Sequence, residues 1–134
     1  YMNYKEARDK LLDIAEEEGY FRLYNSINRH LNLSGTKAMI FSYIFSFSIC
    51  GKDEDGYCFS SRETMAKGLN ISLSTLDLNL KKLVSEKLIC KSSYVSHNHV
   101  YPIYCVNVDH ILKRVLESKR IELEECLSKI GPIR

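Results

Sequence analysis

Along this chain apolar residues return every three or four positions in some stretches and alternate with polar ones in another. The two periods separate helices from strands. Residues 3–18 put Leu11, Ile14 and Ala15, with Ala7, on one stripe and Glu16–Glu18 outside it, as in an amphipathic helix. Asn3 and Glu6 have capping-box spacing, and Gly19 supplies a stop. Tyr20–Tyr24 alternates about Arg22 and predicts a short strand, and Ser26–Leu31 predicts a brief helix. Ser34 to Ile49 behaves differently. From Ala38 to Phe47 it is apolar on nearly every face, which predicts a central helix with Phe41, Tyr43, Phe45 and Phe47 in the core. Gly51–Gly56 reads as a polar loop and Tyr57-Cys58-Phe59 as a short strand.

The next stretch changes period twice. Ser60-Ser61-Arg62-Glu63 has capping-box form and opens a short helix to Leu69, with Met65, Ala66 and Leu69 inward. Gly68 and Asn70 suit a turn. Ser72 then caps a longer helix, Leu73–Glu86, whose buried stripe is Leu76, Leu80 and Leu83, with Val84 beside it. Short helix, tight turn and longer helix make a helix-turn-helix. Leu88–Tyr94 predicts a strand, Ser96–His99 a turn and Val100–Val108 a returning strand, which Pro102 pushes toward a sheet edge. The fold class is therefore mainly α with a small β-hairpin wing: a winged helix-turn-helix with extra N- and C-terminal helices.

Asp109 is the predicted cap of a last helix, about His110–Lys129, ended by Gly131-Pro132. Leu112, Val115, Leu116, Leu123, Cys126, Leu127 and Ile130 recur at helical steps, interrupted by Lys119 and Arg120. Such a helix is longer than a small winged core needs. It either folds back on the N-terminal helix or joins it in packing against a second copy, and the homodimer is the preferred expectation. The organisation expected for residues 1–134 is one domain. Residues 1–31 are a helical extension, 34–108 carry the helix-turn-helix and wing, and 109–130 are the C-terminal helix.

Composition narrows the chemistry. A hydrophobic share of 45% with two prolines supports a real core. No apolar run is long enough for a membrane span, and the charged N-terminal stretch is unlike a secretory signal, so a cytoplasmic protein is expected. Five widely spaced cysteines, Cys50, Cys58, Cys90, Cys105 and Cys126, with no C-x-x-C, read as reduced, mostly buried thiols. The net charge of +2 is too small to indicate nucleic acid alone, but its distribution is uneven. Residues 60–100 hold six Lys/Arg against three acids, and residues 1–31 hold five against six. Asp53-Glu54-Asp55-Gly56 lacks the full calcium-loop pattern. The His97-x-His99 pair has no third ligand nearby, and His30 and His110 stand alone, so no metal and no cofactor are expected. No nucleophile elbow, P-loop or dinucleotide fingerprint appears, so no enzyme is expected.

Cys58, Phe59, Ser61, Glu63 and Ala66, then Ser72, Thr75, Leu76, Leu80 and Leu83, then Leu88 and Ile89, form an ordered pattern. In it the chain resembles the winged-helix domains of phage, plasmid and bacterial replication-initiator and regulator proteins, over roughly residues 20–108. It departs at Lys87, where that family usually has glycine. The resemblance implies sequence-specific binding of double-stranded DNA, as a replication-initiation accessory protein or a transcriptional regulator. By helical spacing the outer face of the second helix is Leu73, Ser74, Asp77, Leu78, Lys81 and Lys82. Ser74 would meet a base edge or phosphate, Leu73 and Leu78 thymine methyls, and Asp77 a cytosine amino group. Lys81, Lys82, Lys91 and Arg62 would pair with phosphates. The wing tip, His97, Asn98 and His99, would approach the backbone or minor groove, more strongly at lower pH. The acidic and apolar members of that face also fit another function, an adaptor that binds a protein partner through Leu73, Asp77 and Leu78.

Overall fold

The computed structural model describes residues 3–16, 23–48 and 57–130. Its elements are α1 (Tyr4–Glu16), α2 (Asn25–His30), α3 (Gly35–Ser48), β1 (Tyr57–Cys58), α4 (Arg62–Leu69), α5 (Leu73–Ser85), β2 (Ile89–Ser96), β3 (His99–Val106) and α6 (Val108–Ile130). Among the described residues the strands form one antiparallel sheet in the order β1-β3-β2. This is the winged helix-turn-helix that the periodicity predicts. Gly19, Tyr20–Arg22, Ile49, Cys50, the loop Gly51–Gly56 with its acidic run, and Gly131-Pro132 lie outside the described residues. Leu23 and Tyr24 are not in a strand; Tyr24 stands at the cap position of α2.

α3 is the hub. Ile40, Phe41 and Ile44 are wholly buried, and the helix packs against β1, α4, α5 and β3. A helix apolar all round must be enclosed, because no face of it can be left in water cheaply. Met65, Ala66 and Leu69 of α4 and Leu76, Leu80 and Leu83 of α5 close over it. Leu88, Ile89, Tyr104 and Val106 close it from the sheet side. Near the helix end one side is left open, although Ser48 is buried. Phe47, expected in the core, is exposed and rests on the Tyr43 ring with centroids 4.6 Å apart. Val84 is likewise exposed, one position past the end of the buried stripe.

Several local expectations shift by one or two residues. The cap of α4 is Ser61: the Thr64 amide donates to its Oγ at 3.1 Å, and its hydroxyl donates to Thr64 Oγ1 at 2.8 Å. Ser60 is instead held by the Tyr43 hydroxyl, which donates to it at 3.0 Å. Gly68 lies inside α4, and the left-handed turn residue is Asn70, φ 55°. At the start of α6, Asn107 occupies the cap position expected of Asp109, and its carbonyl accepts the Ile111 amide at 2.9 Å. Asp109 lies in the first turn. α1 starts as expected, with the Glu6 amide donating to Asn3 Oδ1 at 2.9 Å.

Pro102 sits in β3, the middle strand, not an edge strand. It does so because β1 pairs only with Cys105 and Tyr104, leaving β3 with one neighbour at Pro102. Asn107 donates to Leu88 O at 3.0 Å, so alternate pairs along the hairpin exchange hydrogen bonds and the Ser93–Pro102 pair does not. The missing N–H therefore breaks no ladder bond. Lys87 has φ 61°, the left-handed region that favours glycine, which accounts for the glycine usual there in the resembling family. Of the four described cysteines only Cys58 is buried; Cys90 and Cys126 are exposed and Cys105 is half-buried, against the expectation of mostly buried thiols.

The terminal helices are unlike the rest. α6 packs on α2 through its first and middle turns. His30 Nδ1 lies 2.9 Å from Ser118 Oγ, Arg29 pairs with Glu122, and Arg114 donates to Leu31 O at 3.3 Å. Ile111 is buried and Val115 half-buried, whereas every residue from Lys119 to Lys129 is exposed. Leu11, Leu12 and Ile14 of α1 are also exposed, so α6 does not fold back over α1. Among the described residues no helix is long and apolar enough to cross a membrane.

Candidate nucleic-acid interface

The outer face of α5 is fixed by its own inner one. Ser72 caps the helix, accepting the Thr75 amide at 3.1 Å and donating to Thr75 Oγ1 at 2.9 Å. The same Ser-x-x-Thr arrangement opens α4 at Ser61 and Thr64. Between the helices, Ile71 N donates to Ala66 O at 3.0 Å and Asn70 N to Lys67 O at 3.2 Å, closing α4 and setting the turn. With Leu76, Leu80 and Leu83 locked inward, Leu73, Ser74, Leu78, Lys81 and Lys82 are all exposed. Asp77 is half-buried at the edge of that face.

A groove of about 690 Å³ runs between α5 and the wing. Arg62, Asp77, Lys81, Ser85, Lys91 and Ser93 supply its polar lining, and Leu80, Val84, Val100, Pro102 and Tyr104 its apolar lining. Sequence spacing places Arg62 and Lys91 far from α5, and tertiary structure brings both beside Lys81. Ser85, Ser93 and Tyr104 are groove residues that the sequence reading missed. The two-residue alternation of the strand, with Lys91 assigned to the groove, is the signal that would have found Ser93.

Arg62 and Asp77 meet within the molecule. Nη1 of Arg62 lies 2.8 Å from Oδ1 and 2.7 Å from Oδ2 of Asp77. The hydrogen bond to Asp77 and its charge raise the Arg62 pKa, so the guanidinium stays charged. Both side chains keep about two-fifths of their surface in solvent (38% and 42%), so the pair adds little to stability and chiefly orients Arg62. Burial, with the charge of Asp77 after it, raises the Tyr104 hydroxyl above its ordinary pKa, keeping it neutral. Lys81, Lys82 and Lys91 make no ion pair among the described residues. Leu73, Ser74, Leu78 and Lys82 are exposed on α5 but are not among the residues that line this groove.

At the far end of the wing, His97 and Asn98 are the two central turn residues, with φ 50° and 62°. Such a turn matches the twist of the hairpin. His99 belongs to β3, paired with Ser96, its ring 6.0 Å from that of Tyr101. Among the described residues no group of three His, Cys, Asp or Glu is placed to hold a metal ion.

A family described as "Helix-turn-helix domain" matches residues 31–89, from the end of α2 to the first residue of β2. No curated protein matches the chain. Among solved structures, a possible transcriptional regulator from Methanosarcina mazei superposes with a TM-score of 0.50 at 17% identity, over 84% of this chain and 91% of its own. An S. aureus MepR mutant bound to an oligodeoxyribonucleotide gives a TM-score of 0.48 at 13% identity, covering 100% of this chain and 86% of its own. The first of these similarities shows a shared fold.

Proposed function

We propose that this protein binds double-stranded DNA sequence-specifically, with α5 in the major groove and the wing against the backbone, and acts as a transcriptional regulator or a replication-initiation accessory protein. One observation carries the reading: Lys81 and Lys91, from two elements, share one groove with an oriented Arg62, beside a helix whose outer face is open. A helix of this exposure fits a major groove, and unpaired lysines spaced across helix and strand suit successive phosphates. Ser74 near the helix start would meet a base edge, and Leu73 and Leu78 thymine methyls. Lys82 reaches the phosphates outside the groove. Asp77 holds Arg62, so its part is to aim that guanidinium. His97, Asn98 and His99 extend the contact along the DNA.

The protein acts as a homodimer through α1 and α6. The apolar residues left exposed there, Leu11, Leu12 and Ile14 on one helix and Leu112, Leu116, Leu123 and Leu127 on the other, support a second copy as their cover. A two-fold pair would set two recognition helices about one DNA turn apart.

The exposure of Leu73 (41%) and Leu78 (55%) favours a second reading, an adaptor binding a protein through this face. Salt separates the two. Titration of a genomic duplex library by anisotropy at two salt concentrations should show affinity falling with a log–log slope of about −0.9 per phosphate contacted. A flat salt response, or no duplex bound at low salt, would leave the adaptor as the function.

A further inference from the structure

Cys90 of β2 and Cys105 of β3 are directly opposite one another at the root of the wing. They project from the sheet face away from the α5 groove, since Lys91, Ser93, Pro102 and Tyr104, the alternate residues, line that groove. The hydrogen bond from Asn107 to Leu88 O sets the ladder phase, and two residues along each strand it makes Cys90–Cys105 a hydrogen-bonded pair. Opposed Cα atoms at such a site are about 5.5 Å apart, inside the range of about 4.4–6.8 Å that a disulfide spans. Their Cβ atoms, about 4.5–5.5 Å apart in opposed pairs, must draw together slightly to reach bonding distance, so the crosslink carries strain and is readily reduced. Cys90 is exposed, and Cys105 is half-buried beside it.

We propose that Cys90 and Cys105 are a redox-active dithiol, oxidised reversibly by a low-molecular-weight disulfide to an intramolecular crosslink that ties the wing strands at their root. The exchange balances. The Cys90 thiolate attacks one sulfur of glutathione disulfide, that S–S bond breaks, and one glutathione leaves as thiolate. Cys105 then loses its proton to solvent and attacks the Cys90 sulfur, forming the protein disulfide and expelling the second glutathione. Two protein thiols are oxidised and one disulfide is reduced to two thiols. Burial raises the pKa of Cys105, with the neighbouring Cys90 adding to the effect, so the exposed Cys90 is the entry point and Cys105 the resolving thiol. The buried Cys58, whose thiol is pushed up by burial, is shielded from this exchange. Six register pairs of the hairpin, from Lys91–Tyr104 to Ser96–His99, lie beyond the crosslink, so it fixes the spacing from which the whole wing projects.

The test uses the full chain, independently of any DNA. The reduced protein is incubated with glutathione disulfide, alkylated and cut with trypsin. The expected product joins residues 88–91 to residues 92–113 and disappears after dithiothreitol. Cys105→Ser should halt the exchange at a glutathione adduct on Cys90. Cys90→Ser should slow oxidation of Cys105 at least tenfold. If the native chain instead carries stable glutathione on Cys90 with Cys105 alkylated, or links Cys90 only between molecules, the proposal fails. Mapping the native chain decides the matter even if a variant does not fold.

Discussion

The helix-turn-helix and the terminal helices have the same amphipathic design and opposite outcomes. In α4 and α5 each apolar stripe meets α3, and Met65, Leu76 and Leu83 are completely buried. In α1 and the distal half of α6 the stripe is not covered by the described residues, and Leu11, Ile14, Leu123 and Leu127 are more than half exposed. Periodicity identifies an apolar face, but the partner of that face is a property of the assembled fold. An open apolar face on a helix of about 35 Å is the surface that the proposed second copy would cover.

The sharpest way to break this comparison is one substitution in each region. Leu80→Ala should cost about 2–5 kcal/mol in chemical denaturation, because it opens a cavity under α5. Leu123→Glu should change monomer stability by less than about 0.5 kcal/mol, yet lower the solution mass in light scattering from two copies toward one. An unaltered mass would mean that the distal helix does not hold a second copy.

DNA binding should divide along the same line. Lys81→Ala with Lys82→Ala should weaken duplex binding on the order of tenfold or more at low salt and flatten the salt slope by about two. Lys119→Ala on α6 should leave both unchanged in the same titration. Asp77→Asn removes a negative charge from the groove edge and releases Arg62. Non-specific duplex affinity should rise roughly threefold to tenfold, with poorer discrimination between sequences.

The caps give a finer test. Ser72→Ala should lower the global stability by about 1 kcal/mol, since α5 unfolds only with the core. Asn3→Ala should fray α1 in hydrogen exchange and leave the global midpoint in place. The smallest effect is a gain. Lys87→Gly relieves a left-handed backbone and should add about 0.5–1 kcal/mol.

The order of elements was readable from residue spacing, because local periodicity, cap residues and turn chemistry act within a few positions of each other. Spacing also picked out the inward leucines of α5 and hence its outer face, since on a helix the one dictates the other. Errors appeared where a local rule had two adjacent solutions. Ser60 and Ser61 both precede a helix, and packing chose Ser61 by giving Ser60 to Tyr43. Asp109 and Asn107 offered the same ambiguity before α6.

What the amino-acid order settled alone was therefore the winged helix-turn-helix itself and the face of its second helix, since those depend on contacts a turn or two apart. Only the tertiary structure decided that Arg62 closes on Asp77, fifteen residues away, and that Lys91 joins Lys81 in one groove. The same holds for the facing of Cys90 and Cys105 across the hairpin and for the apolar sides of α1 and α6 left uncovered. Each of these is a meeting of distant segments, and sequence periodicity carries no information on which surfaces meet.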